Sequence, residues 1–215
     1  VLFRTESGQL TLLDAFCPHL GAHLGHGGKV KGEVIECPFH AWQFSTEGKC
    51  VNVPYAKHQP RKAEIPCWHV KVVAGLVMAW HEPNGAAPMW EIPSEIPEWG
   101  TLEGVRNDDW TDFERRSWKI RTRNQEMAEN AVDSAHFHYL HGTTNMPESQ
   151  AEVDGPILRV FSGTGMETPR GRVDGSVESM SYGFGFGLVR FRGLAETLLV
   201  SSVTPIDDDN VEVRF

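Results

Sequence analysis

The chain has 215 residues, enough for one large domain or two small ones, and a hydrophobic fraction of 40% that is ordinary for a soluble globular core. Its 29 acidic and 20 basic residues give a net charge of −9, and there is no basic run, so the composition argues against a nucleic-acid partner. The longest apolar stretch, residues 72–80, is too short to span a bilayer.

Short predicted strands separated by turn residues fill the first part of the chain. They cover residues 1–4, 10–14, 29–36, 42–44 and 70–80, the last interrupted at Gly75. The first two flank the turn at residues 6–9 and so predict a hairpin, and the run at 29–36 turns at Lys31-Gly32 and predicts a second one. This spacing indicates a small antiparallel β-domain over residues 1–84, with its loops at one tip.

Two of the loops between these strands carry one cysteine and one histidine each. The first reads Cys17-Pro18-His19 and the second Cys37-Pro38-Phe39-His40, with seventeen residues between His19 and Cys37. Two thiolates and two imidazoles are the ligand set of a Rieske [2Fe–2S] cluster, with the cysteines on one iron and the histidines on the other. The alternative is a structural Cys2His2 zinc site, but zinc sites usually separate paired ligands by two to five residues, and only one residue separates Cys17 from His19.

The remaining cysteines, Cys50 and Cys67, could pair with each other. We expect two reduced structural thiols instead, because a chain that builds an oxygen-sensitive iron–sulfur centre is expected in the cytoplasm. Val1 and Phe215 each lie inside a predicted strand, so we expect an internal fragment of a longer protein, whose missing N-terminus could hold a membrane anchor.

Residues 85–115 are rich in proline and contain Trp90 and Trp99. Proline at this density forbids a helix or a central strand, so the segment is predicted to connect two domains. Its tryptophans suggest that it packs onto a surface.

The rest of the chain, residues 116–215, is predicted to combine one helix with an antiparallel sheet. The helix is placed at 125–140, with Gly142 as its stop, and strands are placed at 118–123, 157–162, 181–192, 195–204 and 211–215. The run Tyr182 to Gly187 alternates aromatic residues with glycine, which on one strand would put the rings on a single face, as cavity lining or as core. The predicted fold class is therefore α+β: a small antiparallel β-domain, then a helix-plus-antiparallel-sheet domain of which this chain holds only the first part.

A second metal motif, Asp133-x-x-His136-x-x-x-x-His141, lies on the predicted helix. Asp133 and His136 would share a helix face, whereas His136 and His141 would be about 140° apart on an ideal helix. They can bind one ion only if the helix ends or distorts between them. Two histidines with open positions are two-thirds of the 2-His-1-carboxylate triad of non-haem Fe(II) oxygenases. Read alone, the pair could equally be surface or hydrogen-bonded core residues.

Both motifs together resemble the oxygenase component of Rieske non-haem iron oxygenases. The resemblance implies that Cys17, His19, Cys37 and His40 hold the [2Fe–2S] cluster and that His136 and His141 bind a mononuclear Fe(II). It also implies that Asp133 links His136 to a cluster histidine, His40 by resemblance, of an adjacent subunit. A homotrimer, a ferredoxin or flavin reductase as electron donor, O2 and an apolar substrate are implied with it. The third, acidic iron ligand of the family has no match before Phe215.

Short runs such as Val53-Pro54-Tyr55-Ala56 and Trp90-Glu91-Ile92-Pro93 resemble the branch of the 3-ketosteroid 9α-hydroxylase oxygenase and cholesterol 7-desaturase. This favours hydroxylation or desaturation of a steroid-like substrate. Two alternatives stay open: an aromatic-ring-hydroxylating α subunit, and a Rieske electron carrier without catalysis. A carrier would end soon after Trp80, and the additional residues with the second motif argue against it.

Overall fold

The computed structural model describes residues 1–73, 75–93, 95–96, 100–101, 109–112 and 114–215. The described chain forms two compact units, one over residues 1–96 and one that contains residues 109–215. The predicted connector, residues 85–115, is only partly described. Within it, Trp90 packs edge-on against Trp80 with ring centroids 5.7 Å apart, and Trp99 lies outside the described residues.

The regular elements in the described part of the first unit are short strands, and loops connect them. They are β1 (Leu2–Arg4), β2 (Leu10–Leu13), β3 (Lys29–Lys31), β4 (Val34–Glu36), β5 (Gln43–Phe44), β6 (Cys50–Asn52), β7 (Cys67–Trp68), β8 (Val70–Val73), β9 (Leu76–Ala79) and β10 (Glu95–Ile96). The sheets have the orders β1-β2-β7, β3-β4-β5-β6 and β8-β9, and β10 pairs with β11 (Gly100–Thr101). The two predicted hairpins and the strand pair interrupted at Gly75 are confirmed.

One hydrophobic core joins the sheets β1-β2-β7 and β3-β4-β5-β6 to both cysteine loops. Leu13 comes from β2 and Phe44 from β5, and both side chains are almost completely buried. Cys17 and Cys37 belong to the same core. Burying a side chain of the size of leucine or phenylalanine stabilises a fold by about 1.5–3 kcal/mol, so the loops are held by the same packing that holds the sheets.

The second unit is a seven-stranded sheet with two short helices. Its elements are β12 (Ser117–Ile120), α1 (Asn124–Glu129), α2 (Ser134–Tyr139), β13 (Ser149–Asp154), β14 (Ile157–Thr168), β15 (Gly171–Tyr182), β16 (Phe186–Arg192), β17 (Thr197–Pro205) and β18 (Val211–Arg214). All neighbours in the order β12-β18-β17-β16-β15-β14-β13 are antiparallel. The predicted α+β class is confirmed, but the sheet is larger than predicted, because the prediction lacks β13, half of β14 and most of β15.

The predicted single strand over 181–192 is wrong. The chain turns at Gly183–Gly185, so that Tyr182 and Phe186 face each other across the β15–β16 hairpin with ring centroids 5.8 Å apart. Gly183 has a φ of 57°, which glycine adopts at little cost. The glycine-aromatic run therefore makes a tight hairpin rather than a continuous strand face.

The predicted single helix over 125–140 is also wrong, because the chain leaves the helix between α1 and α2. Asp133 is extended there, and its side chain accepts a hydrogen bond from the Ala135 N–H at 3.0 Å. A short acidic side chain that bonds the backbone in this way competes with helix continuation and starts a new helix instead. Asp133 is thus the N-cap of α2 and does not share a helical face with His136.

No helix in the described ranges is long and apolar enough to cross a membrane.

Two candidate metal sites

The two cysteine loops of the first unit have the same backbone design. In each loop the cysteine N–H donates to the carbonyl five residues later, and the N–H four residues later donates back to the cysteine carbonyl, at 2.8–3.1 Å. The residue at that fourth position has positive φ in both loops, 73° at Gly21 and 56° at Ala41. The repeated turn presents Cys17 and Cys37 in equivalent ways from two loops.

The structure brings the predicted cluster residues together in pairs. Cys17 and Cys37 are 2% and 3% exposed and belong to the same hydrophobic core. Burial raises the pKa of the Cys17 thiol to about 11, and the neighbouring Cys37 contributes to the increase. His19 and His40 lie edge to face with ring centroids 4.7 Å apart. Because metal ligation needs thiolates, loading this site releases protons from the cysteines.

One unpaired atom at this site points to a metal. The Nδ1 atom of His19 is buried and has no hydrogen-bond partner. A buried polar atom without a partner costs about 1–3 kcal/mol, a cost that ligation to iron removes. Two buried sulfurs and a buried free imidazole nitrogen fit a [2Fe–2S] cluster of the Rieske type.

The sequence reading missed Trp42 as a partner of this site. Its indole stacks on His19 with centroids 4.5 Å apart and planes 8° from parallel. The indole Nε1–H donates to the hydroxyl of Tyr55 at 2.7 Å. The signal in the sequence was an aromatic residue two positions after His40, which was interpreted only as part of a strand.

The second candidate site lies at the end of α2. This helix ends at Tyr139, before His141, and Gly142 follows with a φ of 70°. The imidazoles of His136 and His141 are 5.3 Å apart between centroids. The condition set by the sequence, a helix that ends between the two histidines, is confirmed. Within the described ranges no third His, Cys, Asp or Glu side chain joins them.

The orientation of His136 is set by its own helix start. Its Nδ1 is hydrogen-bonded to the backbone carbonyl of Asp133 and lies 3.9 Å from the carboxylate Oδ2 of that residue. With Nδ1 occupied, Nε2 is the ring atom available for a metal. The Asp133 side chain is 54% exposed, so it can also reach a group outside this unit.

Both histidines line a cavity of about 820 Å³ between the helices and the sheet. Most of the wall is apolar and comes from alternate residues of the strands, together with side chains of the helices. Representative members are Met127, Phe137, Val177, Val189, Phe191 and Leu199. Five serines from β14, β15 and β17 add hydroxyl groups to it: Ser162, Ser176, Ser179, Ser181 and Ser201. Such a cavity suits a largely apolar ligand with few polar groups.

A chain of three serines ties α2 to the sheet. The hydroxyl of Ser134, in α2, lies 2.7 Å from that of Ser149 in β13, which lies 2.6 Å from that of Ser162 in β14. The Thr144 N–H adds a bond to the Gly165 carbonyl at 2.9 Å. These contacts join residues that are far apart in the chain, and no local sequence pattern predicts them.

Comparison with known proteins agrees with this architecture. Residues 1–72 match the Rieske [2Fe-2S] domain, and residues 79–215 match the 3-Ketosteroid 9alpha-hydroxylase C-terminal domain. The first match favours the iron–sulfur cluster over the Cys2His2 zinc alternative. Among solved structures, dicamba monooxygenase bound to dicamba covers 100% of this chain at a TM-score of 0.76, and the chain covers 68% of it. Its identity is 18%, so this likeness concerns the fold.

Two curated relatives are more similar in sequence. The oxygenase component of 3-ketosteroid-9-alpha-monooxygenase from Mycolicibacterium smegmatis is 42% identical over 143 residues, which are 66% of this chain and 36% of the relative. Cholesterol 7-desaturase from Xenopus laevis is 39% identical over 141 residues, 65% of this chain and 30% of the relative. The chain thus spans about a third of the length of these curated relatives.

The cysteine–histidine loops on a small β-domain and the histidine-lined cavity of an α+β domain define the class of Rieske non-haem iron oxygenases. Within that class, the chain belongs to the family of the 3-ketosteroid 9α-hydroxylase C-terminal domain. The cofactors of the class are a [2Fe–2S] cluster and a mononuclear iron.

Proposed function

We propose that this chain is part of the terminal oxygenase component of a Rieske monooxygenase or desaturase that oxidises a steroid-like substrate. The cavity of about 820 Å³ carries this proposal, because it is mostly apolar and has His136 and His141 in its wall. Its size lies within the range of pockets that enclose drug-sized ligands, about 300–1,000 Å³. The names of the two curated relatives, a ketosteroid monooxygenase and a cholesterol desaturase, support the steroid class.

We assign the cluster to Cys17, Cys37, His19 and His40 and the mononuclear iron to His136 and His141. When bound, these groups supply electron storage and oxygen activation. The polypeptide orients His136 through the Asp133 carbonyl and places both histidines in the wall of a mostly apolar cavity. We expect the remaining carboxylate ligand to come from a residue after Phe215.

The proposed assembly is a homotrimer in which Asp133 meets His40 of an adjacent subunit. Exposed apolar side chains near both proposed metal sites support this assembly. They are Phe16, Leu20 and Phe39 in or next to the cysteine loops, and Tyr139 and Leu140 next to His141. We further propose a cytoplasmic location and a ferredoxin or flavin reductase as electron donor. A carboxylate between two imidazoles would orient both rings and couple the two metal sites.

The experiment compares His136→Ala with His138→Ala in the intact protein. His138 lies on the same helix, but its Nδ1 bonds the Thr143 carbonyl at 2.7 Å and it does not line the cavity. The unchanged protein should hold about three irons per chain, two of them in the cluster. His136→Ala should hold about two irons, keep the visible spectrum of the cluster and lose turnover of a steroid ketone with reductase and O2.

His138→Ala should keep both iron and turnover. If His136→Ala still oxidises the steroid, the mononuclear iron assignment is wrong. If the intact protein oxidises an aromatic ring compound and leaves the steroid untouched, the steroid class is wrong and the ring-hydroxylating alternative replaces it.

A further inference from the structure

We infer that Trp42 and Tyr55 form a positioning pair that holds the imidazole of His19 in one orientation at the cluster site. The geometry on which this rests is the stack of Trp42 on His19, with centroids 4.5 Å apart and planes 8° from parallel. The indole is held in turn by its hydrogen bond to the Tyr55 hydroxyl at 2.7 Å. The inference rests on the proposed assignment of His19 to the cluster and does not depend on the substrate proposed above.

Trp42 is itself well fixed. Its carbonyl accepts the Cys37 N–H at 2.8 Å, which closes the second cysteine loop, and its side chain packs against the hydrophobic core of the first unit. The hydrogen bond to Tyr55 restrains the indole further. A ring that lies flat on such a surface cannot rotate about its side-chain bonds without losing the stack.

The two histidines of the site differ in this respect. His40 packs against Phe39, with centroids 4.1 Å apart and planes 39° from parallel, and the Phe39 side chain is 61% exposed. His19 instead lies under an indole anchored at both ends, and its Nδ1 is buried. Both histidines are half-buried, but the His19 ring packs flat against a fixed indole, whereas the His40 ring packs at an angle against an exposed phenylalanine.

Groups around a metal ligand set its orientation, and the potential of an iron–sulfur cluster depends on ligand geometry and on exposure to solvent. Removing the indole should free the His19 ring and admit water beside it. Water stabilises the more negative, reduced cluster, so the midpoint potential should rise. The pattern of g-values in the EPR spectrum of the reduced cluster should change with the ring orientation.

The test uses the cluster-loaded protein and three substitutions. Trp42→Leu removes the stack, Trp42→Phe keeps a ring but loses the indole N–H, and Tyr55→Phe loses only the hydroxyl. The largest shift in g-values and midpoint potential is expected for Trp42→Leu. Trp42→Phe and Tyr55→Phe should give smaller shifts of similar size, because each removes the same hydrogen bond.

Trp68→Phe is the matched control. Trp68 also stacks on a histidine, His81, with centroids 5.4 Å apart and planes 13° from parallel, and its Nε1–H donates to Asp14 at 2.7 Å. His81 is not assigned to the cluster, so this substitution should leave g-values and potential unchanged. A general disturbance of the unit by the loss of an indole would instead appear in both tryptophan variants.

The inference is overturned if Trp42→Leu holds the cluster with the g-values and potential of the unchanged protein. If that variant fails to load the cluster, Tyr55→Phe decides, because the Tyr55 side chain is 63% exposed and its hydroxyl carries no core packing. A shift in Tyr55→Phe then supports the pair, and an unchanged spectrum and potential rejects it.

Discussion

The two candidate metal sites are built in different ways. The cysteine loops close on themselves through backbone hydrogen bonds, and Cys17 and Cys37 lie inside a hydrophobic core. The histidine site uses a six-residue helix, with His136 inside α2 and His141 beyond its end. Helices of this length are marginal in water by themselves, so their position depends on what they pack against. The sequence motifs of both sites are local, but the contacts that hold α2 against the sheet come from residues far apart in the chain.

Among the substitutions that test this difference between the two sites, we expect the largest effect for Cys37→Ser. The sulfur is both a proposed ligand and part of the core, so the first unit should lose its cluster absorption and several kcal/mol of unfolding free energy. Cys50→Ser is the control, because Cys50 packs against the same core without being an assigned ligand. Iron and sulfide analysis with thermal unfolding measures both. A Cys37→Ser protein with an intact cluster would contradict the assignment.

The second largest effect is expected for substitutions of Asp133. This residue caps α2 and is proposed to link His136 to His40 of an adjacent subunit, and two substitutions can separate these roles. Asp133→Ala and Asp133→Asn should both slow single-turnover reduction of the mononuclear iron by about 10–100-fold, because each removes the carboxylate that is proposed to link His136 to His40 of an adjacent subunit. Only Asp133→Ala should also lower stability, by about 1 kcal/mol, because asparagine keeps the helix cap. If Asp133→Asn reduces iron at the normal rate, the bridging role is wrong and Asp133 is only a cap.

The serine anchor of α2 gives the third prediction. Ser149→Ala interrupts the chain between Ser134 and Ser162 and leaves the buried hydroxyl of Ser162 with one partner fewer. We expect a loss of about 1–3 kcal/mol in unfolding free energy and weaker iron binding at His136, with the cluster spectrum unchanged. Ser117→Ala is the control, since Ser117 is an exposed residue of the strand β12. Equal effects in both variants would show that the anchor does not hold the site.

The smallest effects on stability are expected at two residues with positive φ. Gly142 follows the helix α2, and Ala41 lies in the second cysteine loop. Gly142 has a φ of 70° with open space where a Cβ would lie, so Gly142→Ala should cost about 1 kcal/mol through backbone strain alone. Ala41 has a φ of 56°, and the reverse change, Ala41→Gly, should relieve similar strain and be neutral or slightly stabilising. Chemical denaturation measures both. If Ala41→Gly destabilises the protein by more than Gly142→Ala, backbone strain at positive φ does not determine the stability at these two positions.

Prediction from the sequence succeeded where a structural element depends on residues that are close together in the chain. The hairpins at β1–β2 and β3–β4 follow from short apolar runs with turn residues between them. Prediction from the sequence failed where one local pattern is compatible with two different backbone structures. The run from Tyr182 to Gly187 alternates like a strand but turns, and the run 125–140 has helical residues but breaks at Asp133. In the first case the chain turns because β15 and β16 pair within the sheet. In the second case the side chain of Asp133 caps the start of α2.

The sequence by itself determined the class of this protein, because the spacing of Cys17, His19, Cys37 and His40 and of Asp133, His136 and His141 is a local property of the chain. Only the tertiary structure decided which atoms surround these residues. The indole on His19, the serine anchor of α2 and the cavity behind His136 join segments from different elements. Such contacts arise from the packing of the whole sheet and core, and packing is not encoded by any one stretch of residues.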